Sequence, residues 1–394
     1  MIGSQSCPIC KGAGRERCPL HSKPLVAQTR RILSSGSFFG DSPPAVFIGH
    51  HGYPRVRAGV LAPPIPGRDL DNPPKWFEAR LGIPEVAEKR LSLLNMTFSA
   101  DVKKPALARE YLNEVTLAVK PTEVEARTGK LREGLSFDKY SSPMGPSARL
   151  EELKVTGNPK IPSKVDSIIS EKLPAVSGAN ELFNYGFDVY YIQRLLSAGF
   201  LGSSRKLVPT RWGITATDSI VSGKVLSEIR EFEKLSDRFL LFRSRHLDNE
   251  FHILLIPSEW MFEQIEGYVP GETIVSDFEF YQGRKDYASN VAGGYYAGRL
   301  AVCEYLREKK LQAGVLIVRS IGSGYFAPLG VWQVRENVRN AFLQAPEEFP
   351  DLAQALDRIF SETRLSKEAV LAKSKIISFL RNQRRLSSFF ESLY

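Results

Sequence analysis

Three of the four cysteines in this 394-residue chain fall close together, as Cys7-Pro-Ile-Cys10 and then Cys18-Pro-Leu-His21. The spacing is C-x2-C-x7-C-x2-H. Each such pair curls both of its donor atoms toward one centre, and two pairs complete the tetrahedron that structural Zn2+ adopts. Four protein ligands fill that sphere, so the expected role is to fold the segment and not to catalyse. Three clustered thiols and a distant Cys303 do not make a secreted-type disulfide framework. Lys11, Arg15 and Arg17 would offset the net negative charge of a Cys3His zinc site.

A second pattern stands at the other end, Gln383-Arg384-Arg385-Leu386-Ser387-Ser388-Phe389-Phe390. Leu386, Phe389 and Phe390 are spaced i, i+3, i+4, so one tight helical turn puts them on one face, able to fill a single apolar pocket. The Gln383 amide would reach a separate polar pocket. The pattern resembles the Q-x-x-h-x-x-a-a peptide by which many repair and replication proteins dock on the ring-shaped DNA sliding clamp (PCNA). Burying three such side chains is worth ~1.5–3 kcal/mol each before ordering costs, which suits a micromolar, exchangeable tether. The plainer alternative is an amphipathic helix end packed on its own core. Against it, a terminal apolar cluster has few neighbours to bury it, and Arg384 and Arg385 mark the flanks as solvated.

Between these ends, three groups of residues could do chemistry. His50 and His51 sit in the turn Gly49-His-His-Gly-Tyr-Pro54, followed by Arg55 and Arg57 on one strand face. Imidazole with guanidinium groups suits a phosphate or nucleotide, although a purely structural turn fits equally well. Asp277 and Glu279 share one face of the strand expected over Thr273 to Tyr281, about 7 Å apart. They could hold Mg2+ or Mn2+ for phosphodiester hydrolysis, with Asp286 and Glu304 joining them, or they could pair with arginines. Lys206, Arg211 and Asp218 surround the Pro209 to Asp218 run, whose Trp212 could stack on a base or fill the core. Cys303, at helical spacing between Leu300 and Leu306, reads as packing. There is no P-loop, dinucleotide fingerprint or G-x-S-x-G elbow, which disfavours a P-loop ATPase, a dehydrogenase and an esterase.

The elements that must position these groups read as α+β, a mixed α/β texture. Strands are expected at Ala45 to Ile48, Val56 to Leu61, Phe239 to Phe242, Phe251 to Ile256, Thr273 to Tyr281 and Gly314 to Ser320. A strand-like run is expected around Pro209 to Asp218. Helices are expected over 103–118, 182–196, 223–235, 259–265, 290–310, 332–345, 350–362 and 366–381. The four prolines and two glycines of Ser141 to Pro162 argue against regular structure there. With 43% hydrophobic residues the chain can bury a sizeable core. It has no apolar run of roughly 18–20 residues that would span a membrane. Of the net charge of +9, residues 1–31 and 364–385 hold more than the whole, leaving a near-neutral body between basic ends suited to phosphate or an acidic surface.

Taken together, the zinc-ligand cluster, the docking pattern and the segments Gly49-His-His-Gly-Tyr-Pro54, Val208-Pro-Thr-Arg-Trp212 and Gly330-Val-Trp-Gln-Val-Arg-Glu336 resemble the archaeal Nre DNA-repair family over essentially the whole chain. The resemblance implies a larger N-terminal and a smaller C-terminal family domain meeting near residue 270. The expected division is a zinc-binding unit at 1–31, domains at 32–270 and 271–381, and a docking tail at 382–394. It also implies a role in tolerating DNA damage, with the clamp as partner. The functional expectation is a soluble, cytoplasmic, chromosome-associated repair factor whose body binds DNA or nucleotide and could hydrolyse phosphodiester bonds. The alternative is a non-enzymatic adaptor that brings damaged DNA or repair partners to the clamp.

Overall fold

The computed structural model describes residues 7, 9, 10, 18, 20, 36–63, 69–132, 134 and 136–382. His21 and the docking residues Gln383, Leu386, Phe389 and Phe390 lie outside the described residues. The chain divides into two compact units, residues 1–224 with 326–333 and residues 225–325 with 334–394. Among the described residues are twelve helices and three sheets, an α+β fold. None of these helices is long and apolar enough to cross a membrane.

The first unit is built on β1 (Ser37–Ser42), β2 (Val46–Ile48), β3 (Arg55–Ala62), β4 (Leu94–Asp101), β5 (Thr122–Arg132) and β6 (Ser147–Val155). They form one sheet in the order β1-β5-β6-β4-β3-β2, antiparallel at every pairing except β4 with β6. In β5, buried Thr122, Val124, Ala126 and Thr128 alternate with exposed Glu123, Glu125 and Arg127, the period of a half-buried strand. The helices of this unit are α1 (Pro73–Glu78), α2 (Ile83–Leu91), α3 (Ala106–Leu117), α4 (Ser163–Glu171), α5 (Ala175–Asn184), α6 (Val189–Ser197) and the part of α7 (Thr210–Ile229) up to Lys224. Leu112 and Val115 of α3, Ile168 of α4, Leu182 of α5 and Ile192 and Leu195 of α6 join Val56, Ala58, Val60 and Met96 in one buried cluster. Each of the Val, Leu, Ile and Met side chains among them contributes about 1.5–3 kcal/mol on burial.

In the second unit, β8 (Phe239–His246), β9 (Asn249–Ile256), β10 (Met261–Tyr268), β11 (Thr273–Glu279), β13 (Gly314–Ile321) and β14 (Glu347–Phe349) form a sheet ordered β11-β10-β13-β9-β8-β14. Only β10 and β13 run parallel. A small parallel pair joins β7 (Glu233–Lys234) and β12 (Leu311–Gln312). The helices are α8 (Gly293–Lys309), α9 (Trp332–Ala341) from Val334 onward, α10 (Leu352–Glu362), α11 (Lys367–Lys373) and α12 (Lys375–Asn382). On one face Leu356, Ile359, Val370, Ile376 and Ile377 pack with Leu241, Leu254, Ile265, Leu316 and Val318. On the other, Tyr295 of α8 meets Phe262 edge-on at 5.0 Å and Tyr305 meets Phe242 at 5.4 Å.

Three segments depart from the sequence expectation. Ser141 to Pro162 is not irregular throughout: β6 occupies its middle, with buried Ala148 and Leu150 facing the core, and the prolines flank the strand instead of interrupting it. The run around Pro209 to Asp218 is the first half of α7, not a strand; its β-branched Thr210, Ile214, Thr215 and Thr217 favour strands as isolated residues, but tertiary packing overrides that preference. The expected helix at 259–265 is a bend at 259–260 followed by the start of β10. Glu263, Gln264 and Glu266 gave the segment a surface-helix look, yet Glu263 and Gln264 are fully buried in the middle of a sheet.

Glu263 is buried because α12 needs a cap. Its carboxylate accepts hydrogen bonds from the Ser374 hydroxyl at 2.6 Å, the Lys375 N–H at 2.9 Å and the Ile376 N–H at 3.0 Å, satisfying donors that a helix N-terminus leaves without partners. Burial pushes the carboxyl above its usual range, and these bonds pull against that shift. Glu263→Ala is therefore expected to destabilise the second unit by about 2–4 kcal/mol, since it strands buried donors as well as deleting a cap. Denaturant unfolding of the variant against the parent protein measures this, with Glu263→Gln expected to fall between the two.

Candidate nucleic-acid interface and metal centre

Near the N-terminus, the Cys7, Cys10 and Cys18 sulfurs lie within 4.8 Å of one another, and Cys7 Sγ is 3.7 Å from Cys18 Sγ. That separation is far beyond a disulfide. It matches the edge of a tetrahedron with metal–sulfur bonds of about 2.3 Å, which is about 3.8 Å long. Burial pushes the Cys7 thiol up to about 11, so a cation is what would hold this group as a thiolate. The three cysteines could thus hold a metal ion, and His21, their expected fourth partner, lies outside the described residues. Elemental analysis is expected to return about one tightly held metal per chain, reduced by Cys10→Ser and abolished by Cys7→Ser with Cys18→Ser.

The first unit brings the His50 turn and Arg211 together although 161 residues separate them. The Ile48 N–H donates to the Thr210 hydroxyl at 2.9 Å, tying the strand before the turn to the first turn of α7. Arg211 Nη1 then lies 3.1 Å from His50 Nε2. Guanidinium can only donate, so the imidazole accepts and carries its proton on Nδ1. The same guanidinium covers the Tyr140 ring at 4.5 Å and stands 3.8 Å from Asp138. Asp138 is fixed in turn by the Tyr140 and Ser141 N–H groups at 2.8 and 3.2 Å.

The third segment singled out in the sequence supports this group from the other side. The Val331 N–H donates to the Tyr140 carbonyl at 3.0 Å. Gly330 has φ +95°, and a Cβ there would lie 2.7 Å from the Ser141 carbonyl carbon. Only glycine fits both the conformation and the space. Trp332, next along, packs edge-on against buried Trp76 at 5.4 Å.

Around this group is an exposed aromatic pair. Tyr53 and Trp212 are 50% and 47% exposed, with ring centroids 5.7 Å apart. His51 is exposed, its ring 4.0 Å from that of His50. Arg55 and Arg57 are exposed on β3, as the alternation requires. The arrangement presents stacking surfaces and cations to solvent, the chemistry of a nucleotide or nucleic-acid contact.

The sequence reading missed two residues here. Lys103 and Lys104 are exposed, and they reach the same place because the Val102 N–H donates to the Pro54 carbonyl at 2.9 Å and the Val102 carbonyl accepts from the Leu207 N–H at 3.2 Å. Their adjacency before Pro105 was visible, but nothing local indicated which turn they would join.

Asp277 and Glu279 belong to the second unit, and both are buried. Asp277 accepts from the Asn290 and Val291 N–H groups at 2.9 and 2.7 Å and from the Asn290 side chain at 3.3 Å, and pairs with Arg284 at 3.2 Å. Glu279 accepts from Trp260 Nε1 and Arg299 Nε, both at 2.8 Å. These carboxylates hold β11 to α8 and its approach, the arginine-paired alternative. Glu304 is gripped by Arg339 through bonds of 2.7 and 2.8 Å. Asp218 is fully buried and accepts from Gln193 Nε2 at 3.2 Å. Burial pushes the Cys303 thiol to about 12, as expected of a packing residue.

A chain of this kind, two α+β units with an N-terminal cysteine cluster and an exposed His-Arg-Trp face, matches known proteins along nearly all of its length. It belongs to the archaeal Nre family: the family described as Archaeal Nre, N-terminal, matches residues 13–274, and Archaeal Nre, C-terminal, matches 279–389. It is 40% identical to the DNA repair protein NreA of Archaeoglobus fulgidus over 372 residues, covering 90% of this chain and 92% of the relative. The DNA repair protein NreB of the same organism is 36% identical, with 94% and 96% covered. The DNA repair protein NreA of Haloferax volcanii is 34% identical, with 82% of each chain covered. No solved structure matches the chain.

Burial, together with the charges of His51 and Arg211, holds the His50 imidazole below its ordinary value of 6.5, against the opposite pull of Asp138. As pH falls through 6.5 and below, the unfolded chain takes up this proton before the folded chain does. The folded state therefore loses stability over that window. In an NMR titration, Arg211→Ala is expected to move the His50 pKa up and Asp138→Asn to move it down, while Nε2 of the parent protein stays unprotonated at neutral pH.

Proposed function

We propose that this chain is a DNA-repair factor that docks on the sliding clamp through Gln383, Leu386, Phe389 and Phe390 and contacts DNA through the first unit. The observation that carries the body's part is the junction of the His50 turn, Arg211 and Gly330 around Tyr140. Three segments far apart in sequence meet there and leave aromatic rings and cations facing solvent. The repair role is drawn from the relatives, which are named DNA repair proteins. The cysteine cluster, with His21, is read as a structural zinc site. It would fold the basic N-terminal segment, so that its surplus positive charge faces phosphate.

Within this role the adaptor reading is the better supported of the two. The carboxylates that a metal-dependent hydrolase would need, Asp277 and Glu279, are engaged by arginine and N–H donors inside the second unit. The chain would act by bringing damaged DNA or repair partners to the clamp, at the chromosome.

Calorimetry tests the tether. A peptide covering Lys375 to Tyr394 is expected to bind the clamp with micromolar affinity, and the same peptide with Phe389→Ala and Phe390→Ala to lose at least tenfold, about 1.4 kcal/mol or more. Equal heats from the two peptides would remove the clamp from this reading.

A further inference from the structure

The exposed aromatic pair has a basic border that the motif residues alone do not provide. Two backbone bonds, Val102 N–H to the Pro54 carbonyl and Leu207 N–H to the Val102 carbonyl, lace three surface turns side by side. They bring Arg55, Lys103, Lys104 and Lys206, all exposed, to the edge on which Tyr53 and Trp212 stand. Among the described residues none of these four cations has an ion-pair partner. Arg211, by contrast, is engaged by His50, Tyr140 and Asp138, so it holds the face together while the four border cations remain available.

Duplex DNA hides the faces of its bases, so exposed rings gain little from it. An unpaired base offers a π-face to any aromatic side chain, and a basic border follows the phosphates on either side of it. We propose that this face binds single-stranded DNA, with an unstacked base lying on Tyr53 and Trp212 and the flanking phosphates running along Arg55, Lys103, Lys104 and Lys206. The inference rests on the reading that the body binds DNA, and it specifies which form. For a repair factor, that form is what a gapped, unwound or damaged site exposes.

The test uses the full-length protein, a fluorescent oligothymidine strand of about a dozen nucleotides, the matching duplex and the matching RNA strand. Anisotropy is expected to show the single DNA strand bound more tightly than the duplex. Stacking on one aromatic residue is worth about 1–3 kcal/mol, so Trp212→Ala and Tyr53→Ala are each expected to weaken strand binding about 5–150-fold. Both side chains are half exposed, and thermal melts of the variants, expected unchanged, separate lost contact from lost fold. The paired change Lys103→Ala with Lys104→Ala is expected to flatten the dependence of log affinity on log salt by about 0.7 for each phosphate contact removed. Trp212 is exposed whereas Trp76, Trp260 and Trp332 are buried, so its fluorescence should be quenched as the strand binds.

Strand binding that survives removal of both rings, or equal affinity for duplex, would overturn the inference while leaving DNA binding by the body intact. Tighter binding of the RNA strand would overturn the assignment to DNA. Failure to bind any nucleic acid would overturn the DNA-binding reading itself, and this inference with it.

Discussion

The guanidinium of Arg211 has three partners that no single element could supply: the His50 imidazole from a turn, and the Tyr140 ring and Asp138 carboxylate from a long connection. None of them is a strong bond in isolation. Together they fix where α7 begins relative to the sheet, and so where Trp212 stands relative to Tyr53. The neutral state of His50 is part of the same hold, because a protonated imidazole would face the arginine as a like charge. The backbone approach of Gly330 to Ser141 completes it from behind, at a distance that any side chain would forbid.

The second unit spends its charge differently. Asp277, Glu279 and Glu263 are drawn inside and bonded to arginines, amides and a helix end. Buried and satisfied in this way, such groups specify one arrangement of strand and helix more than they add net stability. The first unit leaves Arg55, Lys103, Lys104 and Lys206 in water. The first unit has internal fasteners of its own, in Arg90 paired with Asp71 and Arg194 bonded to the Thr116 and Ala118 carbonyls, but these four cations are turned outward.

Much of this was legible in the residues. The cysteine spacing marked a cluster that could hold a metal because ligand geometry is local, and the alternation of Thr273 to Tyr281 marked a strand, observed over Thr273–Glu279, because period two is local. His50, Arg211 and Gly330 could be singled out separately, but not joined, since their meeting depends on how β2, α7 and the 138–141 turn pack. The misread segments failed for the same reason. Thr210 to Thr217 has the composition of a strand and becomes a helix through its packing. Glu263 and Gln264 have the polarity of a surface and end in a core, where a helix end donates to Glu263 and Glu266 accepts from the Gln264 amide. Buried polar residues with distant partners are what single-sequence patterns misplace, whereas Asp277 and Glu279 follow the arginine-paired alternative that the residues already offered.

Glu263 has a further consequence. The helix it caps ends at Asn382, and Gln383 follows directly in the chain. A peptide joined to its domain by a long flexible linker explores a wide volume and leaves the domain free to swing. One that begins immediately after an anchored helix confers a high effective concentration over a narrow range of directions. The carboxylate inside the sheet thus fixes where, on the second unit, the helix that leads to Gln383 is held.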